Sequence, residues 1–316
     1  MSVREQIESF ESVSDPPLEL VESVTIFSPF PEFWGDAGVW TSENRCRYDR
    51  RHLRYESDLT EAEWSEVRSM IPPAKPGGNK RTVDIRQVTN GVMYILSTGC
   101  QWRAIPKDLP PRSTVHEYLV RWTYDGTLER LHHSLYVKCR EQAAREASPT
   151  AAIIDAQSVK SAEKGGASID PHGYDAGKKV KGKKRHVLVD TQGFVLHAIV
   201  TAADIQDRDG GAMLLATLFG MFPFLLKLYA DGGYQGPEFQ KALKRVLSQA
   251  EAQIVKRSDR QKGFVVLPRR WVVERTLAWL NRCRRLAKDW ENLNLKARAF
   301  LLLASIRLMV RRLCRI

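Results

Sequence analysis

At Ala151 the period of the chain changes, and that change decides what it can fold into. From Leu59 to about Arg145 apolar residues recur at helical spacing; from Ala151 on they come in short β-type runs broken by turn residues. LTEAEWSEVRSMI sets Leu59, Trp64, Val67, Met70 and Ile71 on one side, and Thr60 with Glu63 makes a capping box. The spacing predicts a second helix over Val83–Ser97, stopped by Gly99, a third capped by Ser113, and a fourth from Thr127 to about Arg145. Arg103, Lys107, Arg112 and Arg121 fall near the turns. Residues 54–148 therefore read as a small all-α, helix-turn-helix-like domain suited to contacting DNA.

Beyond Ala151 the order is strand, strand, strand, helix, strand, helix, strand, helix. AAIIDAQSV is a strand with Asp155 at its far end, followed by a Gly- and Lys-rich loop. HVLVDTQGFVLHAIVT is a hairpin around an Asp190–Gly193 turn, and Asp209 to Phe219 is helical. FLLKLYADGGYQG is a buried strand ending at Asp231, where Gly232 and Gly233 turn the chain. A helix over Glu238–Val246, a strand over Ala252–Lys256 and a long helix from Pro268 to Glu291 follow. Val273, Leu277 and Leu280 form the apolar stripe of that helix, and Ala299–Val310 is a buried helix too short and too polar at Arg307 to span a membrane. Residues 149–316 thus predict an α/β domain, a mixed sheet with flanking helices.

Charge narrows the partner. The formal net charge of +12 is uneven: net −5 over residues 1–53, read as a poorly ordered leader, and +17 over residues 54–316. A body that basic points to a polyanion, most often nucleic acid, and no separate cationic amphipathic helix stands apart to favour a membrane surface. The five cysteines are scattered, without the spacing of a zinc site or a disulfide framework. There is no secretory signal layout, so the expected location is cytoplasmic and nucleoid-associated.

Side chains at the carboxyl ends of neighbouring strands converge. If the strands of Asp155 and Asp231 are adjacent, their carboxylates repel unless a cation sits between them. Oxygen donors without His or Cys point to Mg²⁺ or Mn²⁺. Glu274, beside the apolar stripe of a strongly basic helix, offers a third carboxylate for two-metal attack at a phosphodiester. Asp204, Asp207 and Asp209 read as helix N-caps, and the run from Lys178 to Arg185 as a basic loop able to contact phosphate. Trp271, Trp279 and Trp290 read as core.

Six segments in order, IIDAQSVK, GYDAGKKVKGKKRH, VDTQGF, ADIQDRDG, ADGGYQG and PRRWVVERTLAWL, together resemble the DDE transposases of the insertion sequence 5 family. The likeness runs from about Tyr55 to Arg312. It implies a ribonuclease-H-like catalytic domain with Asp155, Asp231 and Glu274 as the metal-holding triad, 76 and 43 residues apart. The second interval is too short for the inserted β-domain of some relatives. The superfamily's Tyr-(2)-Arg-(3)-Glu-(6)-Lys/Arg pattern is met by Arg270, while Leu267 stands at the Tyr and Asn281 at the last basic position, with Arg282 next to it. The resemblance implies Mg²⁺- or Mn²⁺-dependent cleavage of double-stranded DNA at the element ends, joining to target DNA, and a homodimer or larger assembly on DNA. The DNA contacts expected are Lys178, Lys179, Lys181, Lys183, Lys184, Arg185, Arg270, Arg275, Arg282, Arg103 and Arg112. The alternatives are a catalytically silent DNA-binding relic or repressor, and a ribonuclease-H-like nuclease without strand transfer.

Overall fold

The computed structural model describes residues 48–74, 77, 81–165, 168–255 and 269–314. Of the leader expected over residues 1–53, residues 1–47 lie outside the described residues, as do Leu267, Pro268 and Lys256. Arg50 is already tied to the folded part, with its guanidinium 2.7 Å from the carboxylate of Glu63.

From Glu61 on, the described residues form four helices: α1 (Glu61–Arg68), α2 (Ile85–Thr98), α3 (Arg112–Tyr124) and α4 (Thr127–Gln142). The Thr60–Glu63 capping box forms at α1, and Gly99, at φ 67°, ends α2 in the left-handed conformation that favours glycine. The sheet follows as β1 (Ala151–Lys160), β2 (Gly173–Asp175), β3 (Val180–Asp190), β4 (Val195–Ala202), β5 (Lys227–Ala230) and β6 (Glu251–Ile254). Helices α5 (Asp207–Ala216) and α6 (Pro237–Val246) connect its later strands, and α7 (Trp271–Leu280) and α8 (Asn294–Leu313) complete the chain.

The order across the sheet is β4-β3-β1-β5-β6, with β2 on the early part of β3. β1 is antiparallel to β3 and parallel to β5, which is parallel to β6. This is a mixed sheet with flanking helices, as expected. The apolar half of β1 fills the core: Ala152, Ile153 and Ile154 are fully buried. α5 approaches β3 closely because Gly210 has no side chain; a Cβ there would lie 2.0 Å from the imidazole of His186. Buried helix α8 packs on both α4 and β4, where Arg298 reaches the carbonyl of Ala198 (2.9 Å) and the carboxylate of Glu129 (2.7 Å). Helices and sheet therefore share one hydrophobic core. No helix among the described residues is long and apolar enough to cross a membrane.

Two expectations need correction. Asp155 does not end its strand: β1 runs on to Lys160, because its polar second half pairs residue by residue with β3 down to Lys160 opposite Gly182. Backbone pairing, not side-chain hydropathy, carries that half. The helix expected to reach Glu291 stops at Leu280. Asp289 is withdrawn into the sheet end instead, where its N–H donates to the Lys160 carbonyl (3.0 Å) and its carboxylate receives Ser161 and Lys164.

The expected hairpin forms, and Asp190 holds it. One carboxylate oxygen accepts the N–H groups of Gln192 (3.0 Å) and Phe194 (2.9 Å), and the other meets Arg140 of α4 at 2.6 Å in a fully buried pair. Removing one partner of such a pair strands a charge away from water. Asp190→Ala is expected to lower unfolding stability by about 3–5 kcal/mol, read by urea denaturation. A loss below about 1 kcal/mol would contradict this role for the pair.

Candidate active site

The parallel register of β1 and β5 pairs Ala151 with Lys227, Ala152 with Leu228 and Ile153 with Tyr229. Continued by two residues, it sets Asp155 beside Asp231 on the same face of the sheet, on strands about 4.8 Å apart. β5 ends at Ala230, so the two acids stand where β1 loses its parallel neighbour. Asp231 serves two purposes. Its Oδ1 caps the Gly232–Tyr234 turn by accepting the Gly233 N–H at 2.8 Å, which leaves Oδ2 facing Arg270 at 3.3 Å.

Glu274 arrives from another direction. α7 packs on β1 and β3 with Val273 and Leu277 buried, and Glu274 projects from its first turn with half its side chain exposed. Its Oε1 lies 3.6 Å from the same Nη2 of Arg270 that meets Asp231. One guanidinium nitrogen thus joins the helix carboxylate to the strand carboxylate. Arg270 and Lys178 flank Asp155; the Lys178 ammonium donates to the Ala156 carbonyl at 3.0 Å.

Burial pushes the Asp155 carboxyl up to about 6. The Ala156 N–H opposes that shift, the charge of Asp231 adds to it, and Arg270 and Lys178 oppose it. Tyr234 is buried beside these acids with no hydrogen-bond partner for its hydroxyl among the described residues, and burial and the nearby aspartates raise its pKa well above normal. Among the described residues no three His, Cys, Asp or Glu side chains form a ready-made metal cage. The donors nonetheless fit a hard divalent cation: two paired carboxylates, one of them resisting ionisation chiefly because it is buried, and a third already held to the second by a cation.

The basic run is not a loop. Lys183, Lys184 and Arg185 lie inside β3 with β1 on one side and β4 on the other, and all three are buried. Neighbouring side chains face opposite sides of a strand, and here both sides are covered. Lys184 pairs with Asp207 (2.9 Å) and Asp175 (3.3 Å). Arg185 reaches Gln157 (3.4 Å) and Asn281 (3.3 Å), and burial brings its pKa down to about 10. Lys183 is fully enclosed, and burial lowers its pKa. These three are internal cations of the fold, not surface ones. Lys178, Lys179 and Lys181 are exposed, as are Arg282, Arg103 and Arg112; Arg270 and Arg275 are half-buried.

Arg275 lies between the rings of Trp271 (4.3 Å) and Trp279 (4.6 Å) and donates to the Gln192 carbonyl at 2.9 Å, fixing α7 to the hairpin turn. Trp271 and Trp290 are exposed rather than core. Asp207 is not a cap: α5 starts from Gln206 without a side-chain cap, and Asp207 answers Lys184 instead. Sequence reasoning missed Asp175, inside the GYDAGKK segment. Burial alone would raise its carboxyl, but Ser158, the Lys178 N–H and Lys184 hold it down at about 2. The signal for it was the coming cluster of cations, each needing an anion if buried.

Asp155 supplies a pH test. Its folded pKa lies above the ordinary value of 3.8, so its contribution to stability is present below about pH 4 and is lost as pH rises through about 6. In chelator, Asp155→Asn is expected to gain about 1–3 kcal/mol over wild type between pH 4 and 7.5, measured by urea denaturation at both pH values. A difference that stays constant across that range would contradict the raised pKa.

The comparisons with known proteins bear on the whole of this region. The family described as "Transposase DDE domain" matches residues 146–309, just over half of the chain and all of the sheet with α5–α7. A second family, described as "Putative transposase of IS4/5 family", matches residues 59–132 in the helical part. An "Insertion element IS402 uncharacterized 16.2 kDa protein" of Burkholderia cepacia is 30% identical over 103 residues, which are 31% of this chain and 69% of that protein. A "Putative transposase for insertion sequence element IS402" of the same organism is 31% identical over 121 residues, 35% of this chain and 54% of that one, so the chain spans about half the length of that relative. No solved structure matches. With its sheet, its two aspartates and its helix-borne Glu274 all inside the matched region, the chain belongs to the DDE transposase family, of the IS4/5 type.

Proposed function

We propose that the protein is the transposase of an insertion sequence, cleaving DNA at the element's ends and joining the freed 3′-hydroxyls to target DNA. The observation that carries the proposal is the meeting of Asp155, in β1, with Asp231, just past the end of parallel β5, with Glu274 joined to Asp231 through Arg270. Asp155, Asp231 and Glu274 are the proposed triad and the proposed holders of Mg²⁺ or Mn²⁺. When bound, such a cation supplies charge neutralisation at a phosphoryl group and acidifies a water or hydroxyl.

The chain's own part is placement. Asp231 keeps one oxygen fixed by the Gly233 N–H, so the other is aimed by the backbone and not by a free rotor. Asp155, set in a strand with antiparallel β3 behind it, cannot move without the sheet. Hydrolysis forms a bond from water oxygen to phosphorus and breaks the bond to the 3′ oxygen, leaving a 3′-hydroxyl. In transfer that oxygen attacks a phosphorus of the target strand, and a target 3′-hydroxyl leaves. Both steps develop charge on phosphoryl oxygens, and the exposed cations Lys178, Lys179, Lys181 and Arg282 line the approach by this reading. Arg103, within a short helical turn, and Arg112, opening α3, are proposed contacts of the helical part with the element ends. Two ends must be joined in one event, so a dimer or larger assembly on DNA is part of the proposal.

The test uses the full chain and a DNA fragment carrying the repeats that flank its gene. Mg²⁺-dependent nicking at the repeat ends is expected, and Asp231→Asn is expected to keep repeat binding while losing cleavage roughly a hundredfold or more. Near-wild-type cleavage by that variant would refute the assignment of Asp231. Nicking without transfer of a pre-cleaved end would reduce the protein to a nuclease.

The buried and exposed cations should also separate. Lys179→Ala with Lys181→Ala is expected to leave stability within about 0.5 kcal/mol and to flatten the slope of log binding constant against log salt by about one per side chain. Lys184→Ala, which strands Asp175 and Asp207, is expected to cost about 3 kcal/mol of stability. The reverse pattern, read by filter binding and urea denaturation, would contradict the division made here.

A further inference from the structure

We propose that Arg270 is a resident counter-ion of the candidate metal site, a cation built into the chain that competes with the divalent ion for Asp231 and Glu274. The inference rests on the proposed triad and adds a function for a residue beside it. Asp231 has one oxygen committed to the Gly233 N–H, so Oδ2 is the oxygen left for a cation, and Arg270 Nη2 faces that one. Among the described residues Glu274 has no other ion-pair partner. A single nitrogen, 3.3 Å from one carboxylate and 3.6 Å from the other, therefore bridges two of the three acids where an ion between them would have to sit.

The distances show that the bridge is loose. Charge-assisted hydrogen bonds of full strength fall near 2.7–2.9 Å, and this fold makes such bonds where it needs permanence, at Arg140–Asp190 (2.6 Å) and Arg50–Glu63 (2.7 Å). Arg270 makes neither contact that short. Its side chain and those of Asp231 and Glu274 are 24%, 23% and 51% exposed, so solvent screens the pairs and the guanidinium exchanges readily. A counter-ion of this kind keeps like charges from forcing the helix off the sheet before an ion arrives. It also taxes ion binding by the fraction of time that it holds the site.

Competition and support have opposite signs. If Arg270 competes, its neutral replacement tightens ion binding; if it merely props Glu274 in place, the replacement weakens it. The experiment is titration of the full-length protein without DNA by Mn²⁺, with free Mn²⁺ read by electron paramagnetic resonance. Arg270→Gln is expected to bind Mn²⁺ roughly three- to tenfold more tightly than wild type, the size of two partly exposed ion pairs. Arg270→Lys, which keeps a charge on a different stem, is expected to fall between them. The gap between Arg270→Gln and wild type should narrow in high salt, as pairs in contact with solvent are screened. Equal or weaker binding by Arg270→Gln overturns the inference. Asp231→Asn in the same titration is expected to lose the site; if it binds Mn²⁺ like wild type, the triad itself is wrong, and the two failures are told apart.

Discussion

The site is organised around two carboxylates set side by side where parallel β5 ends and β1 runs on. β1 and β5 are held in register by backbone pairing up to Ile153 and Tyr229, both buried, and that register continued by two residues brings Asp155 and Asp231 together. The fold answers with cations. Arg270 spans Asp231 and Glu274, and Lys178 lies near Asp155. The answer is incomplete: the Asp155 carboxyl still resists ionisation to about pH 6, burial being the main cause and Asp231 a further one. A site in this state has room in its charge balance for one more positive group.

The same logic governs the interior of β3. Lys184 is enclosed but meets Asp175 and Asp207, and these in turn hold the turn after β2 and the start of α5. Buried ion pairs of this kind contribute little net stability against an apolar alternative, yet breaking one is costly. They make β3 intolerant of register change, since a slip of one residue would swap Lys183 with Lys184 and strand both. The site is thus carried by a strand that is locked in place by charge as well as by hydrogen bonds.

Much of this was legible in the sequence because it depends on short-range pattern. The capping box at Thr60, the glycine stop at Gly99, the Asp190–Gly193 hairpin and the stripe of Val273, Leu277 and Leu280 are local signals, and each has its element. What failed depends on partners far along the chain. Lys183, Lys184 and Arg185 read as a solvated loop because nothing local reveals a strand on either side. Asp155 reads as a strand end because the partner for Gln157–Lys160 is the part of β3 whose sequence has the look of a loop. One error produced the other. The length of α7 failed for a similar reason: Asp289 is drawn out of the helical pattern by Ser161 and Lys164, more than a hundred residues upstream. The pairing of Asp155 with Asp231 was expected only on the condition that their strands be adjacent, and the observed register meets it.

The central claim is that Asp155, Asp231 and Glu274 are the ligands of one divalent site. The most direct measurement is anomalous diffraction from a crystal of the protein grown or soaked in Mn²⁺, which locates the ion without reference to activity. The account predicts an anomalous peak bonded to oxygens of Asp155 and Asp231 at about 2.2 Å, with Glu274 turned towards it and Arg270 displaced. A peak on other residues, with Asp155 and Asp231 free of metal at saturating Mn²⁺, would contradict it.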